Sequence, residues 1–479
     1  MNTGMIRYLT SKLLIIEGLQ LFVPLIVAFI YHESSHIIFS ILLTILCLFS
    51  IGFLGIAFKP KNYHIYTKEG MIIVALCWIL WSFFGALPFV FSGQIPSLID
   101  AFFEMSSGFT TTGATILPDV SVLSHSLLFW RSFAHLIGGM GVLVFALAIM
   151  DNSKNNHLEV MKAEVPGPVF GKVVSKLKDT ARILYLIYLI MFAIFALILC
   201  LAGMPVYDSL VISMGGAGTG GFAVYNDSIA HYHSDLIANI ISVGTLMFGI
   251  NFNLYYFILL RKFKLFFKDQ ELITYFSIVF VSTLLIWLNT GGLYQTVSQG
   301  IEYAFFEVAT VITTTGFGIT DITSWPLFSQ FILLLLMFIG GCAGSTAGGI
   351  KVMRVLVLGK ISKNQIETSS QPNRITSLSL NGETLDKQTQ HSILKYFTVY
   401  SAILIALTLI LSLDNNNFMI VASAAASTFN NIGPLLGTTD TFAIFSPFSK
   451  LIMAFAMIAG RLEIYPLLFL FLPKTWSKF

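Results

Sequence analysis

Long runs of apolar residues dominate the chain and alternate with shorter polar segments. Within each run the apolar residues are continuous, whereas a membrane β-barrel shows alternating segments of about ten residues. A helix needs ~20 consecutive apolar residues to cross a bilayer, and most of the runs reach that length. The sequence therefore predicts an all-α polytopic membrane protein. Ten such runs occupy residues 13–31, 38–57, 71–92, 127–150, 182–203, 236–260, 272–289, 327–359, 395–413 and 446–472.

The composition agrees with this pattern. Of the 479 residues, 56% are hydrophobic and 11% are charged, whereas a soluble domain carries roughly 25% charged residues. These values exclude a water-soluble enzyme. They also exclude intrinsic disorder, because disordered chains have low hydrophobicity. The net charge of +3 is too small to predict nucleic-acid binding.

Basic residues predict the orientation of the chain in the membrane. Of the 27 Lys and Arg residues, 24 lie in the N-terminal segment and in 58–70, 151–182, 261–270, 351–395 and 473–479. Cytoplasmic loops are enriched in Lys and Arg, so these segments are predicted to be cytoplasmic. Both termini are then cytoplasmic, and the chain is predicted to cross a bacterial inner membrane an even number of times.

Acidic residues collect on the opposite side. Twelve of them map to the external face, against Arg131 and Lys450, and a negative potential at that mouth would concentrate cations. Alternatively, basic residues are merely kept inside and acids are indifferent to side. The twelve are Glu33, Asp100, Glu104, Asp119, Asp208, Asp227, Asp235, Glu302, Glu307, Asp321, Asp414 and Asp440.

An internal repeat carries the candidate chemistry. Residues 101–113 read AFFEMSSGFTTTG and residues 304–316 read AFFEVATVITTTG. Weaker copies read SMGGAGTGGFAVYND around Gly221 and AAASTFNNIGPLLGTTD around Gly433. Because each copy lies between two long apolar runs, the repeating unit is a span, a short segment, a Gly/Thr loop and a second span. Four such units are predicted to run parallel around one pore, after two extra spans in 1–57.

The short segments are predicted to be re-entrant half-helices. The stretch from Pro96 to about Gly108 is too short to cross a bilayer, and non-helical backbone at membrane depth must be buried or line water. Glycine permits the backbone angles that point successive carbonyls at one axis, where they replace the hydration shell of a cation. Helix C-termini aimed at the same axis add negative dipole ends. The alternative is that Gly and Thr serve only close helix packing.

These motifs resemble those of the Trk/Ktr/HKT superfamily of potassium transporters. TTTGATILPD, GTGGFAVYND, TTTGFGITD and FNNIGPLLG look like the four pore loops of that family, and the two extra N-terminal spans are similar to its TrkH branch. The resemblance implies pore repeats over 58–150, 151–260, 261–360 and 361–479, the last including a polar cytoplasmic segment. It also implies a homodimer, together with a TrkA-like cytosolic ring that binds nucleotide.

The resemblance also implies which residues bind potassium. In plant members, serine at the first filter glycine accompanies sodium transport, whereas glycine stands at all four positions here, which favours potassium. No organic cofactor is predicted, since the G-x-G-x-x-G match at 216–221 follows no strand. The implied filter residues are Thr111, Thr112, Gly113, Thr219, Gly220, Gly221, Thr314, Thr315, Gly316, Asn431, Ile432 and Gly433.

A second glycine-rich segment predicts a broken helix. GGCAGSTAGG at 340–349 interrupts an apolar stretch that is too long for one span, and its glycines weaken a helix. It resembles the intramembrane gating loop of the family, and the alternative is a kinked, glycine-packed helix without a gating role. Arg461 is predicted to hold this segment closed through its carbonyls, or else to extend to the interface. The predicted gate residues are Gly340, Gly341, Gly344, Ser345, Thr346, Gly348, Gly349 and Arg461.

The sequence thus predicts potassium uptake through a carbonyl-lined filter with an intramembrane gate. The alternative is a secondary transporter for a small organic solute, built from broken helices in two inverted halves. An intramembrane enzyme would need convergent acids or a Ser/His pair at membrane depth, whereas most acids here map to loops or half-helices near the outer face. The polar stretch 361–394 is a docking surface or only a tether.

Overall fold

The structure, a computed structural model, describes residues 1–62, 66–141, 177–371 and 378–476. These residues are mostly helical and include one short hairpin, β1 Ser379–Leu380 with β2 Glu383–Thr384. The described helices are α1 Thr3–Gln20, α2 Phe22–Ile30, α3 Ser35–Ala57, α4 Thr67–Phe91, α5 Leu98–Phe109, α6 His125–Gly139, α7 Leu177–Leu201, α8 Val206–Gly218, α9 Asp235–Phe248, α10 Phe252–Leu259, α11 Phe263–Phe267, α12 Gln270–Thr290, α13 Val297–Ile312, α14 Leu327–Ile339, α15 Val352–Ser370, α16 Lys387–Leu411, α17 Phe418–Asn430, α18 Pro447–Arg461, α19 Tyr465–Phe471 and α20 Pro473–Trp476.

Six helices in the described ranges are long and apolar enough to cross a membrane, and the bent pair α9 and α10 is a seventh candidate. A helix suits this solvent because it satisfies its own backbone hydrogen bonds, which lipid cannot do. The chain is therefore a mostly helical, multi-pass membrane protein. The six helices overlap predicted spans and cover Thr3–Ile30, Ser35–Ala57, Lys68–Phe91, Ala181–Leu201, Gln270–Thr290 and Lys387–Leu411.

The continuous helix expected over 236–260 is not found. Helices α9 and α10 meet at an angle of 89°. The Asn251 side chain accepts a hydrogen bond from the Asn253 backbone N–H, and such an N-cap starts a new helix. The sequence analysis treated 236–260 as one apolar run and overlooked Asn251 and Asn253 within it.

The spans expected over 446–472 and 127–150 also differ from the structure. Helix α18 ends at Arg461, after which Glu463 and Ile464 have φ of 52° and 73°. Pro466 then lies in the first turn of α19, where proline is tolerated. Helix α6 ends at Gly139, and the remainder of the expected span, 142–150, lies outside the described residues.

The predicted break at 340–349 is present. Helix α14 ends at Ile339, α15 begins at Val352, and the residues between them are not helical. Gly340, Gly344 and Gly349 have φ between 72° and 80°, angles that disfavour any side chain. The local composition therefore breaks the helix where the sequence analysis expected it to.

One order of elements occurs four times along the chain. A short helix (α5, α8, α13 or α17) is followed by a non-helical loop, a 3₁₀ turn and a helix of 13 to 15 residues (α6, α9, α14 or α18). Three of the short helices begin with side-chain N-caps from Ser97, Thr296 and Asn417, and the fourth begins after Pro205. The 3₁₀ turns are Val120–Val122, Ser228–Tyr232, Ile322–Ser324 and Phe442–Ile444.

Two large apolar clusters surround the four loops. One joins α1, α3 and α4 to the first and fourth units, and the other joins the second unit to the third. The N-terminal helix is attached directly to the first unit, since the backbone N–H of Asn2 donates to the Glu69 carboxylate at 3.0 Å. Packing between the clusters brings loops that are far apart in the chain to one place.

Part of the polar stretch 361–394 is ordered against the membrane helices. The hairpin turns at Asn381 and Gly382, whose φ values are 51° and 86°, and Asn-Gly is a strong hairpin signal that the sequence analysis overlooked. The Asn381 amide donates to the Asp269 carboxylate at 2.7 Å and accepts from the Gln270 backbone N–H at 2.8 Å. The hairpin is therefore not a free tether.

Candidate functional site: a ring of four loops

The same backbone conformation recurs at all four predicted filter triplets. The first residue of each has φ of 56° or 57°, although none of the four is glycine, and such left-handed residues are uncommon. The third residue is glycine in every case, with φ between 74° and 110°. Because the second loop has the same pattern of backbone angles, its triplet begins at Thr219. The triplets are 111–113, 219–221, 314–316 and 431–433.

The four loops contact one another in a closed cycle. The glycine of each loop faces the middle carbonyl of another loop so closely that a β-carbon would collide with it. These glycines are therefore required by the approach of a neighbour as well as by their own backbone angle. A β-carbon would lie 1.9 Å from the Gly220 oxygen at Gly113, 1.9 Å from the Thr315 oxygen at Gly221, 2.1 Å from the Ile432 oxygen at Gly316 and 2.7 Å from the Thr112 oxygen at Gly433.

Threonine hydroxyls at the start of the first and third loops form hydrogen bonds within the protein. The hydroxyls of Thr110 and Thr112 are 2.7 Å apart, and those of Thr313 and Thr315 are 2.8 Å apart. Thr110 and Thr313 also donate to carbonyls in the preceding short helix, at 2.6 and 2.7 Å. These four hydroxyls are thus engaged in hydrogen bonds within the protein and stabilise the loops.

The fourth loop is joined to the first by a side chain. The Asn431 amide donates to the Thr112 hydroxyl at 2.9 Å and to the Met457 carbonyl at 2.8 Å. Asn431 occupies the position that is threonine in the other three triplets. The asparagine therefore fixes the first loop, the fourth loop and helix α18 together.

The glutamate of the AFFE motif supports the loop that follows it. Glu104 accepts from the Ile116 backbone N–H at 3.0 Å, and Glu307 accepts from the Ile319 backbone N–H at 3.2 Å. Both glutamates are buried, at 0% and 3% exposure, so they do not face the external mouth as the sequence analysis expected. Their polarity satisfies loop backbone, which explains why an apolar motif ends in an acid.

Asp119 does lie at the surface, after the first loop. It accepts from the Ser121 backbone N–H at 2.9 Å and from the Asn226 amide at 3.0 Å. The hydrogen bonds from Ser121, first of all the one from its backbone N–H, lower the pKa of the Asp119 carboxyl. Since hydrogen bonds to a carboxylate favour its charged form, this group contributes negative charge beside the first two loops.

His135 explains why the second loop is so rich in glycine. A β-carbon at Gly220 would lie 2.5 Å from the His135 ring, and one at Gly218 would lie 2.3 Å from the His135 carbonyl oxygen. His135 is fully buried, and its Nδ1 is 2.7 Å from the Gly108 carbonyl oxygen. The other loops carry Thr112, Thr315 and Ile432 at the position of Gly220.

A substitution at Gly220 tests this packing. We expect Gly220→Ala to lower the apparent melting temperature, because overpacking costs about 1–3 kcal/mol. His135→Ala alone is also destabilising, because the buried ring contacts Phe222 and the Gly108 carbonyl. Adding Gly220→Ala to His135→Ala should cost less than adding it to the wild-type protein, since the smaller side chain makes room for the methyl group. Thermal unfolding of the three variants in detergent measures the difference, and an equal cost of Gly220→Ala in both backgrounds would contradict the proposed collision.

The segment 340–351 lies directly against the third loop and two helix ends. The Gly348 backbone N–H donates to the Thr314 hydroxyl at 2.7 Å. The Cys342 and Gly349 N–H groups donate to the carbonyls of Gly249 and Asn430, at 3.0 and 3.1 Å. Because these carbonyls lie at the C-terminal ends of α9 and α17, the segment occupies the space next to the ring of loops.

Glu271 is a residue that the sequence analysis missed. Its carboxylate accepts from the Ala343 N–H at 2.6 Å and from the Met353 N–H at 3.0 Å, so it holds both sides of the 340–351 segment. It is buried, with 1% exposure. An acid immediately before an apolar run was the available signal, but nothing in the sequence indicates which N–H groups it contacts.

Arg461 connects this segment to the end of the first unit. It donates to the Thr346 carbonyl at 2.7 Å, and to the carbonyls of Gly138 and Gly139 at 2.6 and 2.5 Å. The contact with 340–349 is the one that the sequence analysis preferred, and the contacts with α6 were not foreseen. That Arg461 holds the segment closed stays a prediction.

The acid that follows the end of α18 takes a different partner. Glu463 pairs with Arg354 at 2.6 Å.

Comparisons with known proteins identify the family of the chain and a similar overall fold. The family model TrkH, described as cation transport protein, matches residues 37–478. The chain is 34% identical over 489 residues to the Trk system potassium uptake protein TrkH of Escherichia coli (strain K12), with 100% of both chains covered. It is 33% identical over 494 residues to the Trk system potassium uptake protein TrkG of the same strain, again with 100% covered. The crystal structure of the potassium transporter TrkH from Vibrio parahaemolyticus is similar with a TM-score of 0.89, at 29% identity and 100% coverage of both chains.

Proposed function

The chain belongs to the TrkH family of cation transport proteins, and we propose that potassium crosses it through the ring of four loops. The protein is a Trk-type potassium uptake protein of the membrane, a transporter rather than an enzyme. The observation that carries the pathway is the closed cycle of glycine and carbonyl contacts between the loops. Backbone carbonyls are the groups that replace water around a dehydrated potassium ion.

Charge and orientation favour a cation in this ring. The four short helices α5, α8, α13 and α17 all end at the loops, and a helix C-terminus carries about half a negative charge. Gly113, Gly221 and Gly316 are partly exposed, while the first two residues of every triplet are buried. We therefore propose that the twelve triplet residues form the potassium sites, with backbone oxygens as the ligands. An inside-negative potential drives entry, at about 2.3 kcal/mol per charge per 100 mV.

We propose that the four recurring units of this chain are the four pore repeats implied by the family resemblance. In this proposal each unit is a span, a re-entrant short helix with its loop, and a second span, with boundaries near 58–150, 151–260, 261–360 and 361–479. The N-terminal helices in 1–57 stand outside the four units. The protein would lie in a bacterial inner membrane with both termini in the cytoplasm, as its basic segments favour.

The 340–351 segment is proposed as the gate. It is buried beside the third loop and hydrogen-bonded to helix ends, so a cation leaving the ring would meet it. Arg461 and Glu271 hold it through backbone groups. Opening of the gate would require the segment to exchange its hydrogen bonds with Arg461 and Glu271 for others. A bound partner protein can shift the balance between these two arrangements.

We also propose partners on the cytoplasmic side. The relatives are named as parts of a Trk system, and a homodimer with a nucleotide-binding regulatory ring is the assembly implied by the family resemblance. The hairpin at 379–384 contacts Asp269 and Gln270, immediately before the residue that holds the gate segment. A ring bound on this side would therefore have a short physical route to the gate.

Growth under potassium limitation tests the function. A strain lacking its own potassium uptake systems should grow at low potassium when this protein is expressed, and purified protein in liposomes should take up potassium down its gradient. Empty vector and empty liposomes are the controls. Saturable uptake of an amino acid that ignores potassium would instead support a secondary transporter for a small organic solute.

A further inference from the structure

A buried ion pair lies behind the first loop. Arg131 on α6 donates from Nε to the Glu104 carboxylate at 2.8 Å, and its Nη2 is 2.6 Å from the same oxygen. The side chains are 2% and 0% exposed. Since the same carboxylate accepts from the Ile116 N–H, the arginine acts on the backbone of the first loop through Glu104.

The same arginine also contacts the second loop. Its guanidinium carbon lies 3.9 Å from the centre of the Phe222 ring, and Phe222 directly follows the filter glycine Gly221. A cation over an aromatic face is attracted by the ring, and more strongly where water is excluded. Phe222 is buried, with 2% exposure.

Helix α6 thus contacts two loops with one face. Arg131 and His135 are four residues apart, so their side chains lie on the same side of the helix. The Phe222 ring also contacts the His135 ring, with centroids 4.3 Å apart, and His135 reaches back to the Gly108 carbonyl. The first and second loops are therefore held at a separation set by two side chains of one helix.

The third unit lacks this arrangement. The residue that corresponds to Arg131, counted from the filter glycine, is Leu334, and within the described ranges Glu307 forms no ion pair. The Arg131–Glu104 ion pair is thus specific to the first and second loops. A glutamate before a loop does not require an ion pair in general. That difference gives the pair a role beyond supporting one loop.

We propose that Arg131 is a positioning residue for selectivity, which fixes the spacing between the first two filter loops by binding Glu104 and stacking on Phe222. The proposal rests on the ring of loops being the potassium pathway. A filter made of backbone oxygens separates ions through the number and placement of those oxygens. Loosening the contact between the first and second loops would let ions of another size pass through the ring. The amount of folded protein should change little.

Two substitutions test the proposal by different routes. Arg131→Lys keeps the positive charge but loses the planar fork that binds and stacks at once. Phe222→Leu removes the stacking and leaves the ion pair intact, so it buries no unpaired charge. We expect each to lower the potassium-to-sodium flux ratio of the protein in liposomes by about threefold to thirtyfold, the range between an exposed and a desolvated cation–π contact.

Arg354 provides a matched control. It pairs with Glu463 at 2.6 Å and lies 4.1 Å from the centre of the Tyr396 ring, so it has the same three-part arrangement without contacting a filter triplet. Arg354→Lys should leave the flux ratio at the wild-type value. If Arg131→Lys fails to fold, Phe222→Leu decides the question alone.

The outcomes separate this inference from the proposed function. Wild-type protein that carries potassium in preference to sodium, with both variants retaining that ratio, would overturn the inference alone. A fall in the ratio for Arg354→Lys equal to that for Arg131→Lys would also overturn it, since the effect would not be specific to the loops. Wild-type protein that carries no potassium would instead refute the proposed function.

Discussion

Replacing Gly113 by serine is expected to let sodium through. A β-carbon at this position lies 1.9 Å from the Gly220 carbonyl oxygen, and the backbone φ is +80°. The side chain can be accommodated only if the first and second loops move apart, which displaces carbonyls from the distance that suits potassium. We expect the potassium-to-sodium flux ratio to fall at least about tenfold, which corresponds to about 1.4 kcal/mol of discrimination.

The chain offers a control matched for backbone strain. Gly93 has φ of +73° and no atom within 4 Å of its would-be β-carbon, so Gly93→Ser carries the cost of the angle without a collision. Gly433→Ser, with a contact of 2.7 Å in place of 1.9 Å, should have an intermediate effect. Fluxes of both ions into liposomes with equal amounts of each protein measure the series. A Gly113→Ser ratio equal to that of Gly93→Ser would show that Gly113 is not in the filter.

Shortening the gate segment is expected to raise basal flux. Deleting 344–347 removes Thr346, whose carbonyl binds Arg461. The base of the segment keeps its own hydrogen bonds, from the backbone N–H groups of Ile350 and Lys351 to carbonyls of α14 at 3.0 and 2.9 Å. Potassium flux without any partner protein should therefore increase at least about tenfold, if closure is worth the 1.4 kcal/mol or more that a few buried hydrogen bonds contribute.

Selectivity distinguishes an opened gate from a damaged filter. The deletion should raise potassium flux at an unchanged potassium-to-sodium ratio, because the four triplets are left intact. Arg461→Gln should raise flux less than the deletion does, since Cys342 and Gly348 still anchor the segment. Unaltered basal flux in the deletion variant would remove the gate proposal, and a collapsed ratio would assign the segment to the filter instead.

The backbone conformation of the four triplets could be predicted because it depends on residues that are adjacent in the chain. Left-handed and close-packed positions select glycine, so a short Gly/Thr signature at Gly113 is repeated at Gly221, Gly316 and Gly433. The break at 340–349 was predictable for the same reason, since five glycines in ten residues weaken a helix locally. Six of the predicted apolar runs likewise coincide with helices in the described ranges that are long and apolar enough to cross a membrane.

The supporting residues could not be predicted in the same way. In the sequence, Glu104 is indistinguishable from an external acid, and only the fold places Arg131 next to it. Glu271 likewise resembles an ordinary residue at the end of a helix, and only the fold places two N–H groups of the 340–351 segment within hydrogen-bond distance. The breaks after α9 and α18 were missed because each long run was treated as one span despite Asn251 and Pro466 within it. Each of these features depends on partners that the chain supplies from elsewhere.

Local backbone chemistry therefore accounts for the loops, the apolar helices and the broken helix, because steric limits and hydrophobic length act on residues that are adjacent in the chain. Packing of distant segments accounts for the cycle of glycine contacts, for the rings of His135 and Phe222 behind the second loop, and for the bonds of Arg461. A buried polar group must find a partner wherever the fold provides one. The identity of that partner is a property of three-dimensional proximity, which neither composition nor spacing encodes.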